Sequence, residues 1–108
     1  MIVVTTEEVT GHRIVEMKGQ VFGLVVRSRG LGGNIMATLR SLGGGEIIEY
    51  TQLLEDARRH AVDRMIQNAT AMVANAVIRM QYDSSEIGST MSEIVAYGTA
   101  AVIEPARS

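Results

Sequence analysis

The sequence predicts an α+β fold in which a mainly antiparallel sheet packs on one long and one short helix. Three observations lead to it. Apolar and polar residues alternate from Ile14 to Arg27; apolar residues return every three or four positions from Glu46 to about Ala76; and two more alternating stretches, Val77 to Asp83 and Met91 to Glu104, follow. The order is β, β, α, α, β, β, in one domain over residues 1–108 with no internal repeat or linker.

The β-branched, apolar segment Met1 to Thr5 reads as a short strand, and TEEVTGHR, which includes His12, as a polar turn. In the second strand Val15, Met17, Gly19, Val21, Gly23 and Val25 share a face expected to be buried, with Glu16, Lys18 and Gln20 on the other. Phe22, Leu24 and Val26 then make the even face apolar, so the second half is expected to be covered on both sides. Gly19 and Gly23 mark a bulge or bend.

After SRGLGG, Asn34 is placed to cap a helix of about two turns, IMATLRSL, which Gly43 to Gly45 end. The long helix repeats Tyr50, Leu54, Ala57, Ala61, Met65, Ala69, Met72 and Ala76 on one face. Its opposite face carries Glu55, Asp56, Arg58, Arg59, Asp63 and Arg64, where Glu55 with Arg59 and Arg59 with Asp63 form i,i+4 pairs worth roughly 0.2–0.5 kcal/mol each. Ile66, Thr70 and Val73 add a second stripe, and so wide a face wants two partners. That places an assembly contact between Met65 and Val73, with Ala69 in it. SSEIGST supplies a turn, and Pro105 stops the last strand.

Composition excludes much chemistry. There is no cysteine, so no disulfide framework, thiolate nucleophile or sulfur-ligated zinc or iron-sulfur site. A net charge of −2 and four scattered aromatics, Phe22, Tyr50, Tyr82 and Tyr97, argue against nucleic acid as a partner. Apolar runs of a few residues are far short of the roughly 20 that span a bilayer, and MIVVTTEEVT lacks the basic start of a signal peptide. A cytoplasmic location, with no membrane partner, is the expectation.

Six of the eleven glycines fall between residues 30 and 46, bracketing the short helix. Backbone N–H groups there could hold an anion, which makes Gly32, Gly33, Asn34, Gly43, Gly44, Glu46 and Tyr50 the candidate ligand-binding residues. The dinucleotide fingerprint fails at position 35, an isoleucine, and no Gly-Lys-Ser/Thr follows either cluster. Turns and close backbone contact explain the glycines more simply.

Asp56, His60 and Asp63, at i, i+4 and i+7, share an exposed helix face and could hold a divalent cation weakly; the plain reading is a solvated charged face. Met17, Met65, Met72 and Met80 fall on expected core faces, as gap-fillers rather than soft-metal ligands. The serines have no nucleophile-elbow context, and Glu46 and Glu49 suit a helix N-terminus through its dipole alone. No catalytic residue and no cofactor are assigned. A site assembled between subunits from Glu46, Glu49, Tyr50 and Arg58 stays as an alternative.

The stretches VVTT, G-HRIVE, GQVFG, GLGGNI, LGGG-E-Y, LLEDARRHAVDRM, ANAVI and GTAAVI, in this order and over nearly the whole chain, resemble the YbjQ family. These are small bacterial proteins of uncharacterised role with a heavy-metal-binding label. The resemblance implies an α+β subunit assembling into a ring, a β/α-propeller-like pentamer, so that its partner is itself and an unknown small ligand could sit between subunits. It supplies no activity. It also marks a departure: relatives commonly end the long helix in glycine, whereas Val73-Ala74 stand before Asn75 here. The leading functional reading is a non-enzymatic homo-oligomeric module; the alternatives are a weak heavy-metal binder and the inter-subunit enzyme.

Overall fold

In a computed structural model the described residues are 1–28, 48–87 and 91–106. They form strands β1 (Ile2–Val3), β2 (His12–Ser28), β3 (Ala76–Ile87) and β4 (Met91–Pro105) and one helix, α1 (Ile48–Ala71). The short helix expected after Asn34 and both glycine clusters lie outside the described residues.

The four strands make one sheet in the order β1-β3-β4-β2. β4 runs antiparallel to both β2 and β3, and β1 pairs in parallel with β3, so the sheet is mixed rather than purely antiparallel. Because β2 and β3 both oppose β4, they are parallel to each other. A parallel pair needs a long crossover, which runs through α1, and β4 slots between them as in a split β-α-β unit.

The helix repeat is realised at Ala57, Ala61, Met65 and Ala69, all fully buried against Val21, Val25, Ile94, Ala96 and Ala100 of the sheet. Small residues permit a very close approach. A Cβ added at Gly23 would lie 2.1 Å from the Ala61 carbonyl oxygen and 2.3 Å from the Met65 nitrogen, so helix backbone rests directly on strand backbone there.

Several expectations are corrected. Leu54 is exposed, because the buried face begins at Ala57. Ala69 lies in the intrachain core, not in an assembly contact, and Val73 of the second stripe is exposed. The helix stops at Ala71 rather than near Ala76, which is a buried strand residue. Its end is a Schellman turn: Ala74 N–H donates to the Ala69 carbonyl (3.1 Å) and Val73 N–H to that of Thr70 (2.9 Å). Val73 occupies the left-handed position of this turn at φ +63°, a conformation that glycine enters without strain.

The buried face of β2 is also revised. Val21 and Val25 are buried, but Val15 and Met17 are exposed. The register shifts twice, between Ile14 and Glu16 and between Met17 and Gly19, and each inserted residue moves the following side chains to the other face. Met17 pairs with Ala101 and Phe22 with Tyr97, an even separation along β4, so Met17 shares a face with Phe22. Met65 is buried and Met72 and Met80 are partly so; Met17 is not a core residue. His12 opens β2 instead of lying in the turn, and SSEI continues β3 to Ile87 because β4 pairs with it there.

Candidate functional site

Of the sequence-derived ligand candidates, Gly32, Gly33, Asn34, Gly43, Gly44 and Glu46 lie outside the described residues, and Tyr50 contributes only its place in α1. Asp56, His60 and Asp63 do lie on one exposed helix face. They do not act together. Asp56 faces the Arg59 guanidinium at 3.9 Å, and His60 Nδ1 lies 2.7 Å from Arg27 Nη2. A guanidinium only donates, so His60 Nδ1 is the acceptor and its lone pair is already used. Among the described residues no three His, Asp or Glu side chains converge as metal ligands.

The helix face read as a solvated charge stripe does something the sequence does not announce. Arg64 donates to the Leu24 carbonyl (2.6 Å) and Asn68 to that of Phe22 (2.7 Å), while His60 meets the Arg27 side chain. Residues 60, 64 and 68 are spaced by four on α1 and descend along β2 in the opposite direction. β2 is an outer strand of the described sheet, and Arg64 and Asn68 occupy two of its carbonyls.

The sheet face turned away from α1 is different. It is buried at Ala76, Ile78 and Ala101 but open along β2, where the second half was expected to be covered: Met17 is 58% exposed, Phe22 52%, Leu24 37% and Val26 46%. Phe22, Leu24 and Val26, with Met17 beyond Gln20, form an apolar strip along one strand of the kind that marks an interaction surface. The protein is also extended, 58 × 25 × 15 Å with a radius of gyration of 17.5 Å, against roughly 13 Å for a compact chain of this length. No helix among the described residues is long and apolar enough to cross a membrane.

A two-layer α+β chain, one helix packed on one face of a mixed four-stranded sheet with an apolar row exposed along β2 on the other face, is the class of protein these features define among the described residues. A family model described as "Putative heavy-metal-binding" matches residues 1–104, and the chain belongs to this family, the YbjQ family. A UPF0145 protein from Bradyrhizobium sp. (strain ORS 278) is 73% identical over 107 residues, covering 99% of this chain and 96% of its own. A UPF0145 protein from Picrophilus torridus is 58% identical over 105 residues, covering 97% and 89%. The family is therefore archaeal as well as bacterial. The crystal structure of a DUF74-family protein of unknown function from Pediococcus pentosaceus matches with a TM-score of 0.63, covering 96% of this chain and 98% of that one at 16% identity, and so shares the fold.

Proposed function

We propose that the protein is a non-enzymatic subunit of a closed homo-oligomer, a pentameric ring, that holds a small ligand or partner between its subunits. The observation that carries this reading is the open apolar strip of Met17, Phe22, Leu24 and Val26. Burying such side chains is worth about 25 cal/mol per Å² of apolar surface, and in a ring the strip of each subunit would be buried head to tail against a different surface of its neighbour. The extended shape supports it, since apolar side chains left exposed along β2 among the described residues can be buried by association.

Native mass spectrometry tests the reading, with Phe22→Asp as the variant. Wild type is expected as a pentamer and the variant as a folded monomer with an unchanged circular dichroism spectrum. A monomeric wild type, or a variant that assembles like wild type, overturns the placement. The heavy-metal-binding description of the family gives a second reading, and His60 is the residue that tests it.

A further inference from the structure

The polar interruption of the apolar strip carries a separate inference. Between Met17 and Phe22 the open face is occupied by Gln20, which pairs with Thr99 across the β2–β4 ladder. Two backbone irregularities flank this rung. β2 shifts register at Met17/Gly19, where Gly19 has φ +115°, and β3 shifts between Ile78 and Gln81, where Arg79 has φ +52°. Between them lies a depression of about 380 Å³ lined by Gln20, Arg79, Gln81, Tyr97 and Thr99, together with Gly19 and Gly98. That volume is within the roughly 300–1,000 Å³ of ordinary small-molecule sites.

The β3 bulge is accommodated by the sequence around it. A Cβ at Gly98 would lie 2.7 Å from Val77 Cγ1 and 2.8 Å from the Ile78 carbonyl oxygen, so β3 closes on β4 where β4 has no side chain. Arg79 itself is strained, since L-residues avoid the left-handed region that glycine enters freely. Its ion pair with Glu7 does not offset that strain, because both side chains are mostly exposed and such pairs contribute little. Strain retained at a concave, polar spot points to function.

The lining has surplus donors. Tyr97 Oη donates to Gln81 Oε1 at 3.0 Å, which uses the accepting end of that amide and leaves its NH2 to donate. Arg79 and Thr99 also line the depression, and the Arg79 guanidinium, paired through Nη2 with Glu7, keeps further N–H groups to donate. We infer that this depression, set between the two bulges on the open sheet face, binds a small molecule through an oxyanion, a carboxylate or a phosphate, held by Arg79 and Gln81. The Glu7 carboxylate competes for the same guanidinium. The lining comes from a single chain, but the depression interrupts the strip assigned to assembly and would lie between subunits in the ring, so the titration is run on the Phe22→Asp monomer as well as on wild type.

Calorimetric titration with inorganic phosphate and with citrate, at low ionic strength, tests it. One of the two probes is expected to bind wild type, phosphate identifying a phosphoryl ligand and citrate a carboxylate one. Arg79→Gly keeps the backbone conformation and should weaken binding roughly tenfold or more without lowering Tm. Glu7→Gln should tighten it by removing the competing carboxylate. The inference is overturned if neither probe binds at concentrations on the order of 10 mM. Equal binding by wild type and Arg79→Gly overturns it as well.

Discussion

The imidazole of His60 accepts a hydrogen bond from the guanidinium of Arg27 at 2.7 Å, joining α1 to β2 through two basic side chains. Arg27 Nε is buried without a hydrogen-bond partner, so the guanidinium is held through the nitrogen that faces His60. A divalent cation at His60 would have to displace a cation already there. Zinc titration followed by calorimetry should give the same isotherm for wild type and His60→Ala. Loss of heat in the variant would establish His60 as a ligand and revive the metal reading.

Gly23→Ala tests the contact between strand and helix backbone. The new methyl would meet the Ala61 carbonyl and the Met65 nitrogen, both main-chain atoms that cannot rotate away. Overpacking of this kind costs about 3 kcal/mol or more. Urea denaturation should show the midpoint falling sharply; a variant as stable as wild type would mean that α1 sits farther from the sheet.

Val73→Gly should stabilise the protein. A β-branched residue at φ +63° bears about 1–2 kcal/mol of strain, and glycine relieves it while adding about 0.5–1 kcal/mol of backbone entropy. The net expectation is a gain of about 0.5–1 kcal/mol, read as a higher Tm. Val73 is exposed, so little packing is lost.

Asn75→Ala should destabilise it. The Asn75 amide donates to the Ile103 carbonyl (2.9 Å) and accepts from the Ile103 N–H (2.8 Å), adding a side-chain rung to the ladder beyond β3. Removing it leaves two main-chain groups of the buried Ile103 unpaired, at a cost of about 1–3 kcal/mol. Unchanged stability would mean that water replaces both bonds.

The strands and the long helix were legible because periodicity reports burial. Val21 and Val25 alternate into the core, and Ala57, Ala61, Met65 and Ala69 return every fourth residue. The bulges were not, since an inserted residue shifts every later side chain without altering composition, and this misplaced Met17. Arg64 read as part of a solvated face and Asn68 drew no reading, because their acceptors are main-chain carbonyls, which have no sequence signature. The strain at Arg79 was invisible for a related reason: position 79 is left-handed through the pairing of β3 with β4, not through its own residue type. The glycine clusters, where the sequence placed its ligand candidates, lie outside the described residues.

The side chains of α1 that occupy two carbonyls of β2 bear on misfolding as well as on folding. If the helix melts while the strands persist, β2 offers 17 residues of unprotected edge, with Phe22, Leu24 and Val26 beside it. An uncovered, apolar edge templates strand addition by other chains and seeds cross-β fibrils. While the helix is folded Arg64 and Asn68 guard that edge, and their removal should shorten the lag time of aggregation on heating.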